Sequence, residues 1–264
     1  MPLDTTAAAL LALVLIALTW LIFSRRSSAP SDRPRMKAVY YHHHFGRVIV
    51  GELPRPPSPG PGQLLVKVHA ASLNPADWKQ AAGETAPLLP FRWPRVYGFD
   101  FSGVVEEAGP NDGRAADCTF AVGQRIFGMI RGLPQRDTGT LAEYVLVDAD
   151  VCASCPPNLS HAECASVPLV AITAVRALRA CGLAEQPTAS GSGPRVLVTG
   201  GAGGVGSIAQ QLARHMFGAA EVEACALPCS SSIPSRSSAS AATTSVSSTP
   251  ALATTSISSS LLFQ

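Results

Sequence analysis

Residues 195–214 read RVLVTGGAGGVGSIAQQLAR, and this stretch decides the fold of the chain's second half. An apolar, β-branched run (Val196, Leu197, Val198) stops at Thr199, and the glycines begin at once. Gly201, Gly203 and Gly206 fill a G-x-G-x-x-G frame, and Val205, Ile208, Ala209 and Leu212 then recur at helical spacing. Strand, glycines and helix in that order predict a dinucleotide-binding turn. There the glycines permit a tight turn, close approach to a pyrophosphate and close helix–strand packing, and the helix N-terminus offers N–H groups to the anion. The competing reading, a glycine-rich turn without a ligand, lacks a reason for this flanking context.

Two helices precede that unit. Ser160 with Glu163 three residues on matches a capping box, and 170–181 (VAITAVRALRAC) is helical up to Gly182. After the unit, Glu221 to Ala226 reads as a second parallel strand. The half before Ser160 has a different texture. Short strands at 37–41, 47–50, 64–70, 96–109, 120–129 and 141–147 are separated by turn clusters such as Pro56 to Gly62 (PPSPGPG). Dense short strands predict a small β-barrel rather than βαβ repeats. His42, His43 and His44 fall in the first turn and read as solvated, since no carboxylate or thiol stands beside them.

Both ends depart from globular composition. Thr5 to Phe23 carries no charge, and nineteen residues at ~1.5 Å each span roughly 28 Å of helix, enough for a bilayer. Arg25 and Arg26 follow, which predicts a single-pass anchor with the folded part on the cytosolic side. A cleaved or mitochondrial targeting segment is the alternative. Residues 24–35 form a polar, proline-containing tether. The tail, 227–264, is dominated by Ser and Thr and reads as disordered. The expected organisation is therefore an anchor at 5–23, a linker at 24–35, a β-barrel domain at 36–159, a partial nucleotide-binding domain at 160–226 and the tail. The net charge of +2 predicts no nucleic-acid partner. Seven cysteines, an odd number, read as reduced thiols; Cys152 and Cys155 lack the second pair that a zinc knuckle requires, so no metal is expected.

Four stretches, Leu64 to Trp78 (LLVKVHAASLNPADW), Val96 to Gly109 (VYGFDFSGVVEEAG), Pro156 to Leu178 and Val196 to Arg214, together resemble the medium-chain dehydrogenase/reductase superfamily. The resemblance is to its zinc-free quinone oxidoreductase and enoyl reductase branch, with reticulon-interacting quinone-oxidoreductase-like proteins nearest. It implies a mixed α/β chain, a GroES-like β-barrel domain followed by a Rossmann domain, here incomplete. It also implies hydride transfer from NADPH, with NADH as the alternative, to a quinone or an α,β-unsaturated carbonyl. By the resemblance, Gly201, Gly203, Gly204 and Gly206 hold the pyrophosphate, Val205 lines the adenosine side, and Thr173 lies near the nicotinamide and phosphates.

Asn74 takes the place of a cleft residue near the nicotinamide ribose and substrate; its alternative is a turn residue before Pro75. Lys79 is the nominated proton donor, its alternative a solvated lysine. The zinc-binding relatives place a Cys near Asn74 and a His-Glu pair where Phe99 and Asp100 stand. Neither Asn nor Phe replaces a thiolate or imidazole, so no zinc is expected. Family members continue for over a hundred residues beyond this point and complete the sheet. The abrupt Ser/Thr composition resembles a change of reading frame or splicing. Two strands and one helix predict weak or absent NADPH binding, with a homodimer expected only of a complete Rossmann domain. The competing function, of a different class, is a catalytically inactive, membrane-anchored binding protein.

Overall fold

The computed structural model describes residues 14, 32–84, 93–110, 120–131, 139–185, 193–225 and 243–245. The chain divides into two compact units, Met1–Ser166 with Ser258–Gln264, and Val167–Ile257. In the first unit a three-stranded sheet has the order β2-β1-β4, with β1 Arg35–Tyr41, β2 Ile49–Pro54 and β4 Arg95–Val96. A five-stranded antiparallel sheet has the order β7-β3-β5-β6-β8, with β3 Gln63–Ser72, β5 Asp100–Ala108, β6 Arg125–Met129, β7 Tyr144–Asp148 and β8 Cys152–Ser154. The Ala38–Ala142 bridge joins them, helped by Val39 N–H donating to Leu141 O and Glu143 N–H to Lys37 O. Joining the sheets along this line gives the barrel-like wrap that the short strands predict.

The central strands β3 and β5 are buried along most of their length, and Val66, Phe101, Val105, Ile126 and Val145 are sealed from water. Two register shifts in β3, at Leu65/Val66 and Val68/Ala70, bend it. Gly103 sits opposite: a Cβ there would lie 2.8 Å from the Val66 side chain, so the close approach of β5 to β3 requires glycine. Beyond β3, Pro75–Ala81 forms helix α1, with Asn74 as its N-cap and Pro75 at its first position. His161–Ala165 forms α2, opened by the expected capping box: Ser160 Oγ accepts from Glu163 N–H, and the Glu163 carboxylate accepts from Ser160 N–H. Helix α2 packs on β3, β5 and β6 and belongs to the first unit, although the residues from Ser160 onward read as the start of the second.

The second unit holds α3 (Pro168–Ala180), β9 (Arg195–Thr199), α4 (Gly204–His215), β10 (Glu221–Cys225) and β11 (Thr243–Ser245). Helix α3 ends at Gly182, whose φ of 82° supplies the left-handed turn. Strands β9 and β10 pair in parallel, Arg195 opposite Glu221 and Thr199 opposite Cys225, with α4 as the crossover between them. Leu178 of α3, Ala213 of α4, Phe217, Ala219 and Val222 form the core beneath. Strand β11 pairs antiparallel with β10, although it lies where the Ser/Thr-rich tail reads as disordered. The sheet order is therefore β11-β10-β9, with β9 at an edge among the described residues and Leu197 65% exposed on it.

The membrane anchor expected over Thr5–Phe23, and the single-pass localisation built on it, are corrected by the structure. Among the described residues no helix is long and apolar enough to cross a membrane. A crossing takes about 20 helical residues, and α3, with 13, is the longest described helix. Of the segment itself only Val14, helical and exposed, lies within the described residues. The 24–35 tether is described only from residue 32 onward.

Candidate functional site

In the second unit, the residues after β9 build an anion cradle from backbone alone. Gly200 turns the chain at φ 70°, Gly201 N–H donates to Cys225 O (3.1 Å), and Gly203 N–H donates to Gly200 O (2.9 Å). Gly203 then caps α4 in an extended conformation. The next N–H groups, of Gly204, Val205 and Gly206, are the first of α4 and have no carbonyl one turn back within the helix. They point out of its N-terminus, where the macrodipole favours an anion. Gly203 and Gly204 are exposed and Gly206 is buried. A Cβ on Gly206 would sit 2.8 Å from Gly201 Cα and closer still to Gly200 O, both backbone, so this turn admits only glycine there.

Gln210, which the sequence reading passed over, braces the turn: its Nε2 donates to Gly201 O (2.8 Å) and Gly206 O (3.1 Å). Its signal was its place four residues after the last glycine, one helical turn on. Helix α3 approaches the same place. A Cβ on Gly204 would touch Val170 Cγ1 at 3.4 Å, and Thr173 stands three residues from Val170, on the same side of α3. The Thr173 hydroxyl is exposed and donates to Leu169 O at 2.7 Å, which leaves its oxygen lone pairs as acceptors. Glu221 and Glu223 of β10 ion-pair with Arg195. Glu221 opens β10, at the end opposite the glycines.

In the first unit, a polar web lies under the N-terminus of α1. Asp100, 0% exposed on β5, accepts from Asn74 Nδ2 (2.9 Å) and Ser72 Oγ (3.1 Å). The antiparallel register sets this up by placing Ser72 opposite Asp100, one residue before the chain turns toward Asn74. With its NH₂ directed at Asp100, Asn74 presents its amide oxygen as an acceptor. Its backbone N–H donates to Asp77 Oδ2 at 2.6 Å. Phe99, beside Asp100, is buried. Lys79, in contrast, is half exposed on α1; its Nζ lies 4.0 Å from Glu84 and 5.7 Å from the Trp78 ring. Among the described residues no three His, Cys, Asp or Glu side chains converge to hold a metal ion. His44 is not solvated as its turn suggested; its Nδ1 lies 3.2 Å from Gln80 O and its ring packs edge-on against Trp93.

Asp77 carries a measurable consequence. Burial pushes its carboxyl up to about 6, against the opposing N–H groups of Asn74 and Gly98, and its Oδ1 is buried without a hydrogen bond. The folded state therefore holds a proton that the unfolded state has lost above its ordinary value of 3.8. A raised carboxyl makes the ionised form a burden, so stability rises as pH falls through about 6 and levels off near 4. In urea unfolding, wild type is expected to gain roughly 2 kcal/mol on Asp77→Asn between pH 7.5 and 4.5. Parallel pH profiles for the two proteins would contradict this.

Comparison with known proteins agrees with this geometry. Residues 60–157 match the alcohol dehydrogenase GroES-like domain. The chain is 38% identical over 169 residues to the 2-methylene-furan-3-one reductase of Solanum lycopersicum, covering 61% of this chain and 39% of that protein. Among solved structures, an alcohol dehydrogenase superfamily protein from Novosphingobium aromaticivorans aligns at a TM-score of 0.60 and 35% identity, over 73% of this chain and 53% of that one. The quinone oxidoreductase of Thermus thermophilus, solved also in complex with NADPH, aligns at 0.53 and 30%, over 72% and 52%. The chain spans less than half the length of the tomato reductase and about half that of each solved structure. A GroES-like domain followed by a Rossmann-like parallel pair, in this order, is what the chain shares with these homologues, which are quinone oxidoreductase- and enone reductase-like members of the medium-chain dehydrogenase/reductase superfamily.

Proposed function

We propose that this chain serves NADPH-dependent reduction of a quinone or an α,β-unsaturated carbonyl, without zinc. The observation that carries the reading is the glycine turn: three N–H groups at the N-terminus of α4, and a Gly206 that nothing larger can replace. The backbone at Gly203, Gly204 and Gly206 would cradle the pyrophosphate, Gly201 would hold the turn against Cys225 O, and half-buried Val205 would meet the adenosine. Thr173 would offer its oxygen as an acceptor beside the turn. The cofactor supplies the hydride when bound; the chain's part is to hold and orient it. In the first unit, Asn74, its amide oriented by Asp100, would be the polar group offered to substrate.

The absence of zinc from this scheme rests on donor chemistry. Asn74 and Phe99 stand where ligands would be required, and neither offers a thiolate or imidazole. The preference for NADPH rests on the NADPH complex of the Thermus thermophilus relative. The acceptor class rests on the tomato relative, whose named substrate contains an enone. The scheme does not rest on Lys79, whose Nζ lies 4.0 Å from Glu84.

Titration of the ¹⁵N-labelled chain with NADPH tests the reading at any affinity. The amide signals of Gly203, Gly204, Val205 and Gly206 are expected to move together and saturably. Signals that stay in place, or that move elsewhere while these four remain still, would overturn it.

A further inference from the structure

One peptide of the glycine turn is held by a side chain alone. Gly203 N–H on Gly200 O closes a four-residue turn, with Gly201 and Ala202 at its centre. Gly201 N–H donates to Cys225 O, which fixes the turn to β10. The peptide joining Gly201 to Ala202 makes no backbone hydrogen bond among the described residues; Gln210 Nε2 holds its carbonyl at 2.8 Å. The same nitrogen donates to Gly206 O at 3.1 Å, one helical turn back on α4. An NH₂ group has two protons, and the two carbonyls take both. Gln210 is half-buried, and a Cβ on Gly201 would press on its Nε2 at 3.1 Å, so the amide is packed against this glycine.

A trans peptide sends its C=O and N–H in opposite directions. Among the described residues the only cis bond is Trp93–Pro94, so the bond before Ala202 is trans. With Gly201 O drawn onto Gln210, the Ala202 N–H is directed away from it. Ala202 is exposed, as are Gly203 and Gly204, and its N–H has no backbone acceptor among the described residues. Turning the peptide over would exchange the two groups and put a carbonyl oxygen on that exposed face. Neither central residue of the turn has a positive φ, whereas the turned-over form demands one at Ala202. Two features therefore oppose the flip: the Gln210 hydrogen bond, and the Cβ of Ala202, which disfavours the left-handed region.

We propose that Gln210 is a positioning residue for the cofactor's pyrophosphate, holding the Gly201–Ala202 peptide so that the Ala202 N–H joins those of Gly204, Val205 and Gly206 as a further donor. This role rests on the cofactor reading above and goes beyond it. The anion is met by two segments, the turn and the helix, and one side chain sets the turn. Gln210 itself touches no phosphate; it acts through Gly201 O. Successive N–H groups of a turn make an anion-binding concavity only while their peptides face one way. A flipped peptide would set the negative end of its dipole against the phosphates.

The test titrates the whole chain, labelled with ¹⁵N and ¹³C, with NADPH. In wild type, a scalar coupling across the hydrogen bond from Gln210 Nε2 to the Gly201 carbonyl carbon is expected, and the Ala202 amide is expected to shift together with those of Gly204, Val205 and Gly206. Gln210→Met keeps the length and loses the donor; NADPH should bind about threefold more weakly, as for one lost hydrogen bond. Ala202→Gly alone should stay within about twofold of wild type, because Gln210 still holds the peptide. Together the two should weaken binding by about thirtyfold or more, well beyond the product of the single effects, since both obstacles to the flip are gone. A merely structural glutamine gives effects that multiply, and that result would overturn the proposal. So would a missing coupling, or an Ala202 amide that stays still while Gly204, Val205 and Gly206 respond. If none of these amides responds, the cofactor reading fails and this role with it. The wild-type coupling and shifts decide the matter even where a variant fails to fold.

Discussion

Gly206→Ala is expected to abolish the NADPH response of the amides at the start of α4 and to destabilise the second unit at the same time. The added Cβ would meet Gly201 Cα at 2.8 Å and Gly200 O closer still. Both are backbone atoms, so relief can come only by opening the turn. Overpacking of this kind costs about 1–3 kcal/mol or more. The turn also carries Gly201 N–H to Cys225 O and Gln210 to Gly201 O and Gly206 O, so displacing it loosens strand pairing and helix together. Affinity should fall by more than a hundredfold, about 2.7 kcal/mol, with an earlier denaturant midpoint. Gly203→Val separates the two effects. Gly203 is exposed, and a Cβ there would meet only Gly200 O, at 3.3 Å. That variant should unfold like wild type yet lose the NADPH response, because its branched side chain would occupy the phosphate's place. A Gly206→Ala chain with wild-type stability and wild-type amide shifts would remove the physical basis of the proposed cofactor site.

Much of this site was legible in the sequence because its chemistry is local. Strand, glycines and helix lie within twenty consecutive residues, and the Ser160 capping box and the Gly182 stop are local signals as well. The strands β1, β3 and β7 were readable for the same reason. What escaped depends on distant partners or on very short elements. Helix α1 has seven residues and β8 three, too short for periodicity, although Asn74-Pro75 carried a helix-start signal that was read only as a turn. The apolar run Val196–Val198 of β9 does not by itself tell its two faces apart. Its observed burial alternates, because one face covers the Leu178–Phe217 core while Leu197 faces out. The Asp100–Asn74 bond joins residues 26 apart, and only the β3–β5 register brings them together.

That register also yields the largest stability effect expected in the first unit. Asp100→Ala removes the acceptor of two donors, buried Asn74 Nδ2 and half-buried Ser72 Oγ, from a place where the carboxylate itself has no exposure to water. An orphaned buried donor costs about 1–3 kcal/mol, and these two share one acceptor oxygen, so the loss should reach roughly 2–5 kcal/mol. Asp100→Asn keeps a carbonyl oxygen in place and should fall between the variant and wild type. The effect should extend beyond stability, because Asn74 caps α1 through its backbone while its side chain is aimed by Asp100. With the carboxylate gone, the amide can flip and present NH₂ where it now presents oxygen. Urea unfolding and the chemical shifts of the Asn74 side-chain amide report the two consequences separately. An Asp100→Ala chain within 1 kcal/mol of wild type, with the Asn74 amide signals unmoved, would show that the web under α1 is held by something other than this carboxylate.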